Sequence, residues 1–285
     1  MSDLRAAVFV AKPIPFQRDG VPGHWSPTSC TLIYDSHSAL LVDTGIEIEQ
    51  GKELAAWIKN IAPGRVLETI YITHGHPDHW FGVPLILKEF PNAKVLATPG
   101  TIKHAKESVE PGPWAQSWGA WFGDRIYQPF TFPEPLPKDN KILLNGKWEL
   151  QAIEVGHSDT HDTTILWVPD LKLVVAGDVI YGQVHQMLAL ATKREQRDEW
   201  LKAIDVVESL NPTHVIGGHQ QAEEVQGSWN VAATRKYIQD FERLLAEVKA
   251  RDGKRQDLFD EMIKHYGDRA NPMVLRWNVA AYFDS

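Results

Sequence analysis

Cysteine is almost absent from this chain of 285 residues. Cys30 stands alone, which excludes an intrachain disulfide and any zinc cluster built on thiolates. Its surroundings, Thr28-Ser29-Cys30-Thr31-Leu32-Ile33-Tyr34, read as the start of a strand, so a buried structural thiol is expected. No window of about 18 apolar residues occurs, which argues against a membrane span. The opening Met1-Ser2-Asp3-Leu4-Arg5 leads only into the short apolar run Ala6 to Ala11, too brief for a secretory signal, and a cytoplasmic location is expected. Basic excess is missing too. A net charge of -8 argues against a nucleic-acid partner, because phosphate binding needs clustered Lys and Arg. Repeats of solenoid period, low-complexity tracts and long like-charge runs are also lacking.

What remains is an ordinary globular composition, 43% hydrophobic and 23% charged, long enough to bury a large core. Strands are expected at 6–11, 31–34, 39–42, 69–72 and 94–97, with helices at 47–60, 79–90 and 99–109. Pro13 to Pro27 reads as a long loop carrying His24 and Trp25. Residues 110–138 crowd prolines with Trp114, Trp118, Trp121 and Phe122 and read as a loop insertion. Strands resume at 141–144, 148–153, 163–168 and 172–176, then a helix at 195–210 and a strand at 213–217. From Glu223 the pattern is helical, over 231–250 and 254–266. Two β-rich halves, each followed by helices, imply an α/β fold with two sheets face to face and helices outside.

The densest chemistry lies in Thr73-His74-Gly75-His76-Pro77-Asp78-His79, directly after the apolar run Thr69-Ile70-Tyr71-Ile72. His74 and His76, two apart, share a face if the chain stays extended. Asp78 and His79 follow the turn at Pro77 and can aim at a neighbouring point. One turn therefore offers ligands to two adjacent metal ions, and imidazole with carboxylate suits first-row metals. Three later positions also end strands: His157 in Val155-Gly156-His157-Ser158, Asp178 in Val174-Val175-Ala176-Gly177-Asp178, and His219 in Val215-Ile216-Gly217-Gly218-His219.

The pattern His-x-His-x-Asp-His followed by these three motifs resembles the metallo-β-lactamase superfamily over roughly residues 6–220. The resemblance implies an αββα sandwich of two mixed β-sheets flanked by helices. It implies a catalytic domain at 1–222, with the Trp/Pro-rich insertion inside it, and a helical extension at 223–285 packed on the same domain. It puts His74, His76 and His157 on one divalent ion, Asp78, His79 and His219 on a second, and Asp178 between them. Zinc is the expected metal, with manganese or iron as alternatives. Asp43, in Leu41-Val42-Asp43-Thr44-Gly45, matches a family position that orients a ligand histidine. His161 is expected to be structural. The stretch His157-Ser158-Asp159-Thr160-His161 lacks the Pro and Gly commonly found between the two histidines.

The activity this implies is hydrolysis of a small cyclic carbonyl compound, a lactone, lactam or cyclic carbamate, through attack by metal-bound hydroxide. Tyr181, three residues after Asp178, would donate to the developing oxyanion. A metal-ligating aspartate, Asp78 or Asp178, or a bound water would return the proton to the leaving group. Among known members the chain looks closest to detoxifying lactonases and lactamases, including those opening benzoxazolinone-type rings. The alternatives are a thioesterase resembling glyoxalase II, whose C-terminal helices grip glutathione, and a non-catalytic binding protein on the same fold. Trp114, Trp118, Trp121 and Phe122 could line a substrate pocket, fill a satellite core or form a homodimer contact. His24 and Trp25 are candidates to touch substrate, whereas Trp80 is expected to pack in the wall.

Overall fold

The structure, a computed structural model, describes residues 3–18 and 21–283; Met1 and Ser2 of the opening segment and Asp19 and Gly20 of the early loop lie outside the described residues. The chain begins with β1 (Arg5–Val10), the hairpin of β2 (Ile14–Arg18) and β3 (Val21–Trp25), then β4 (Ser29–Tyr34) and β5 (Ser38–Val42). Helix α1 (Ile48–Ile61), β6 (Val66–Tyr71), α2 (Val83–Glu89), β7 (Lys94–Ala97) and α3 (Pro99–Glu107) follow. After α4 (Pro111–Gln116), α5 (Trp118–Phe122) and β8 (Glu134–Pro135) come β9 (Lys141–Leu144), β10 (Trp148–Gly156), β11 (Thr163–Val168) and β12 (Leu173–Val175). The chain closes with α6 (Arg194–Ser209), β13 (His214–Ile216), α7 (Trp229–Ala250), α8 (Arg255–Tyr266) and α9 (Pro272–Phe283).

Two mixed sheets result, one in the order β1-β4-β5-β6-β7-β8 and one in the order β13-β12-β11-β10-β9. Alternation along each strand divides its side chains between two cores. Leu40, Val42 and Tyr71 point inward and meet Leu150, Leu166 and Val175 from the other sheet. Their neighbours Leu41 and Ile70 point outward onto Leu54 and Ile58 of α1 and Ile86 of α2. Ile165, Val174 and Val215 likewise face Trp200 of α6 and Phe241 of α7. Both faces of the central strands are buried, which is why they read as unbroken apolar runs. The expected αββα sandwich is the fold.

Three expectations change. The Pro13 to Pro27 segment is a paired hairpin, with Ile14 opposite Trp25 and Phe16 opposite Gly23. Prolines are tolerated there because this two-stranded ribbon consists only of edges. The 110–138 insertion carries two short helices and strand β8, which pairs with β7. Helix α9 is absent from the sequence reading because its apolar residues do not form a stripe; Met273, Val274, Leu275, Val279 and Tyr282 are all buried. No helix among the described residues is long and apolar enough to cross a membrane.

Close approach of α1 and α2 rests on Gly51, where an added Cβ would lie 2.5 Å from Leu85 Cδ1 and 3.0 Å from Leu85 Cβ. Helix propensity alone favours Ala over Gly by about 1 kcal/mol. Overpacking of a tight contact costs about 1–3 kcal/mol and prevails. Gly51→Ala is expected to lower stability in urea unfolding; a stabilised variant would show that the helices part freely.

Candidate metal centre

The functional side chains gather where the C-terminal ends of β5, β6, β10, β12 and β13 meet the N-terminal end of β11. Backbone bonds stitch these ends together: Thr164 N–H donates to the Thr73 carbonyl at 3.1 Å, Gly218 N–H to that of Gly177 at 2.7 Å, and Ser29 N–H to that of Gly218 at 2.7 Å. Histidine and aspartate side chains from sequence-distant motifs thereby become neighbours. They form two groups, His74, His76, Asp159 and Asp178 in one and Asp78, His79 and His219 in the other. Within each group the donor atoms lie within 4.8 Å of one another. Asp178 also joins the groups, with Oδ1 3.2 Å from His79 Nε2 and Oδ2 3.3 Å from His219 Nε2.

Three of the histidines are held in a ligand-ready tautomer. Asp43 accepts from Thr73 N–H and Thr73 Oγ1–H at 2.9 and 2.8 Å. Thr73 Oγ1, its proton committed, then accepts from His74 Nδ1 at 2.9 Å. Asp43 Oδ2 also accepts from His79 Nδ1 at 2.8 Å, and the Pro27 carbonyl accepts from His219 Nδ1 at 3.1 Å. Each Nδ1 donates its hydrogen away from the cluster, and each Nε2 faces the cluster. Asp43 thus orients ligand-position histidines, as its sequence position suggested. It does so with φ at 60°, a backbone geometry that aspartate tolerates better than most residues.

The donor set fits divalent metals. His74 Nε2, His79 Nε2, Asp159 Oδ2 and Asp178 Oδ1 are buried without a hydrogen-bond partner. Asp159 Oδ2 and Asp178 Oδ1 lie 2.7 and 3.2 Å from His76 Nδ1 and His79 Nε2 without hydrogen-bond geometry, and such a cluster is costly unless a cation engages it. Charge points the same way. Burial would depress His219, yet Asp178 and Asp78 prevail and push it up to about 10. Burial likewise works against His79, but Asp178, Asp43 and Asp78 hold it well above the usual imidazole range. Burial opposes ionisation of Asp178, while His219 and His79 keep it well below the usual carboxylate range. Without metal the site balances its carboxylates with protons, and a metal would replace them.

His157, expected as a ligand, stands apart. It joins neither group; its Nδ1 lies 2.7 Å from the Ser158 carbonyl and its Nε2 3.1 Å from Gln196 Nε2 on α6. Strand β10 bulges between Glu154 and Gly156, and Gly156 sits at φ 81°. Past the bulge the chain leaves the strand and turns, with His157 against α6 and Asp159 inward, where Ser158 Oγ donates to Asp159 Oδ1 at 3.0 Å. Asp159 Oδ2 lies 2.7 Å from His76 Nδ1. The missing Pro and Gly marked this segment as unusual, and Asp159 was its only inward-capable carboxylate besides Asp162. His161 stands apart, exposed and 2.8 Å from Asp162 Oδ2.

Tyr181 sits beside the cluster, but its hydroxyl donates to Asp178 Oδ2 at 2.5 Å. The Trp25 indole N–H donates to Asp78 Oδ2 at 2.9 Å, an interaction the sequence did not reveal. The centre opens into a cavity of about 970 Å³ whose walls include Trp25, Trp118, Trp121 and Trp277. Trp114 packs instead against Phe81 and Phe130, because the helix breaks at Ser117 and the three tryptophans do not share one face. Trp80 packs in the wall, fully buried, against Phe130 and Phe132. His24 is exposed and away from the cavity.

With this geometry in view, the comparisons are decisive for the family. The family model described as the Metallo-beta-lactamase superfamily matches residues 23–219. The chain belongs to that superfamily. A metallo-beta-lactamase from Pontibacter korlensis superposes with a TM-score of 0.59 at 18% identity, covering 83% of this chain and 99% of that one. A metallo-beta-lactamase family protein from Thermus thermophilus gives 0.65 at 17% identity, with 96% and 91% covered. The FIM-1 enzyme from Pseudomonas aeruginosa, in its mono-zinc form, gives 0.56 at 14%, with 84% and 92% covered. At such identities these likenesses establish the fold alone. No curated protein matches in sequence. Members of the superfamily are mainly metal-dependent hydrolases, and the His/Asp groups here accord with that chemistry.

Two outcomes follow from the site. Asp159→Ala is expected to lose metal by elemental analysis while His157→Ala retains it; the reverse would restore His157 as the ligand. The second outcome concerns pH. His219, raised from 6.5 to about 10, stabilises the metal-free fold fully below about pH 6.5, and that contribution is lost as pH rises toward 10. Chelator-treated protein should therefore lose melting temperature across that window, and zinc should flatten the decline. Parallel curves with and without zinc would contradict it.

Proposed function

We propose that the protein is a dinuclear hydrolase that opens a small cyclic carbonyl compound, a lactone, lactam or cyclic carbamate. The observation that carries this reading is the pair of donor groups sharing Asp178 at the floor of a largely apolar cavity. His74, His76, Asp159 and Asp178 would hold one cation, and Asp78, His79 and His219 the other, with Asp178 reaching both. Zinc is the metal proposed, since the donors are imidazole and carboxylate. When bound, such a pair supplies an activated water and polarises a carbonyl.

The chain's own residues do the rest. Trp25, Trp118, Trp121 and Trp277 form a rigid apolar cage that suits a flat ring and excludes bulk water. Trp25 fixes Asp78 through its indole N–H, so a substrate ring against Trp25 is registered relative to that carboxylate. Tyr181, in the cavity wall, is the donor proposed for the oxyanion; burial with Asp178 nearby keeps its phenol protonated, and this role requires its hydroxyl to turn from Asp178 Oδ2 to the substrate. Asp78 or Asp178 would pass the water proton to the leaving oxygen or nitrogen as the ring bond breaks.

A second reading is a thioesterase. Arg255 and Arg276, from α8 and α9, line the same cavity and favour a substrate that carries an anionic group. A compact homodimer and a cytoplasmic location remain part of the proposal, with a small molecule as the partner.

Hydrolysis assays with zinc-loaded protein on aromatic lactones, lactams and glutathione thioesters separate these readings. Asp178→Asn and His79→Ala should abolish turnover, and Tyr181→Phe should lower kcat by about ten- to a hundredfold, since a single oxyanion donor is worth at most about a thousandfold. Thioester turnover exceeding that of every cyclic substrate would replace the leading reading. Undiminished activity in Asp178→Asn would sink the two-metal mechanism.

A further inference from the structure

One imidazole in the cavity wall belongs to neither metal group. His185 lies seven residues beyond Asp178, is fully buried, and lines the same cavity as Tyr181 and His219. Its Nδ1 is 2.9 Å from the Tyr237 hydroxyl of α7, while its Nε2 is buried and has no hydrogen-bond partner. A buried polar atom without a partner is rare in folded proteins and calls for a reason.

The hydrogen on this ring can be placed. The Tyr237 side chain is fully buried, and among the described residues its hydroxyl bonds only to His185. If His185 Nδ1 donated, the Tyr237 hydroxyl hydrogen would be stranded inside the protein. Donation from Tyr237 to Nδ1 satisfies both groups and leaves the hydrogen on Nε2. Burial, with the Arg269 guanidinium nearby, pushes His185 down to about 4, so the ring is neutral near pH 7. Arg269 lies 4.9 Å from the Tyr237 ring centroid and donates to the carbonyls of Gly182 and Val184 at 2.9 and 2.8 Å. His185 N–H donates to the Ala270 carbonyl at 3.0 Å. The ring is therefore anchored at its backbone, at its Nδ1 and along the segment that precedes it.

We propose that His185 is a substrate-contacting residue, whose Nε2–H donates to an acceptor atom of the molecule bound in the cavity. The acceptor is a carbonyl, ring oxygen or carboxylate on the part of the substrate away from the cations. This role rests on the hydrolase reading for its place in a reaction, but not for the contact itself. A wholly apolar ligand would leave this donor unsatisfied, so the site selects rings that carry a second polar atom. That preference sorts heterocycles such as cyclic carbamates above simple lactones of equal size.

Imidazole nitrogen spectra of the 15N-histidine-labelled, metal-free protein supply the test, since they read tautomer and contact without turnover. His185 should be neutral and Nε2-protonated at about pH 6–8, the window in which a free imidazole would titrate. 2-Benzoxazolinone, added to the limit of its solubility, should shift the Nε2 resonance. A titrating or Nδ1-protonated ring, or an unmoved resonance, would overturn the proposal. In the zinc-loaded enzyme, His185→Phe should raise KM about tenfold for the substrate turned over best, the worth of one hydrogen bond, with His185→Gln recovering part of the loss. Equal KM values for wild type and His185→Phe would also overturn it. If no cyclic carbonyl compound is hydrolysed but the resonance moves, the hydrolase reading fails and the contact stands.

Discussion

The burial of carboxylates beside imidazoles at one edge of the two sheets is the constraint on which the rest of the structure depends. Asp43, Asp78, Asp159 and Asp178 are all buried, packed among His74, His79 and His219. An isolated buried carboxylate is prohibitively costly, so every one of these must meet a proton, a donor or a cation. Asp43 is satisfied by Thr73 and His79, and Asp78 by Trp25 and His219. Asp159 and Asp178 each keep an oxygen without a hydrogen-bond partner. The sandwich can tolerate that only because the opposing histidines take up protons, or metals in their place. Tight approach is part of the arrangement. A Cβ on Gly218 would fall 1.9 Å from Asp178 Oδ1, so the strand end that carries His219 can reach Asp178 only through glycine.

Much of this was legible in the sequence, for a physical reason. Motifs at strand ends are local: the spacing of His74 and His76, the turn at Pro77, and the apolar runs before Asp178 and His219 are each set within a few residues. The fold class was legible for the same reason, because strand runs and helix stripes are local periodicities. His157 lies outside both donor groups because it follows the end of β10, past the bulge at Glu154 to Gly156. His157 and Asp159, two apart, would share a face if the strand continued, and no property of His157 itself signals the turn that parts them. Beyond Gly156 the chain leaves the strand, and the turn over 157–162 aims Asp159 at His76 Nδ1 while His157 lies against Gln196.

Other features were illegible because they are made by distant segments. Trp25 contacts Asp78 across 53 positions of chain, and Trp277 from α9 meets Trp25 and Trp121 across still more. The cage is an assembly of hairpin β2–β3, helix α5 and helix α9, none of which carries a metal motif. Helix α9 was invisible as an amphipathic element because it is buried on most sides, wedged between cavity and core. The C-terminal helices were expected as a packed extension. They also form one wall of the cavity, through Met273, Trp277 and Val279.

That double role ties the chemistry to parts of the chain far from the metals. The segment from Tyr181 to Leu188 runs from the cluster along the cavity and is held almost entirely by the helices behind it. Thr234 accepts from Tyr181 N–H and donates to its carbonyl, at 3.0 and 3.2 Å. Asn278 of α9 accepts from Leu188 N–H at 2.8 Å and donates to the Gln186 carbonyl at 2.7 Å. Arg269 grips the carbonyls between these points. Donor groups on such a segment are positioned to within a few tenths of an ångström only while each of these bonds persists, because a catalytic hydrogen bond weakens steeply with misalignment. Through this segment the helices after residue 223 act on the site by geometry, in addition to the side chains they place in the cavity wall. Sequence drift in α7 or α9 would tune which small molecules the cavity accepts while leaving the His/Asp groups untouched, and this gives one fold a route to different substrates.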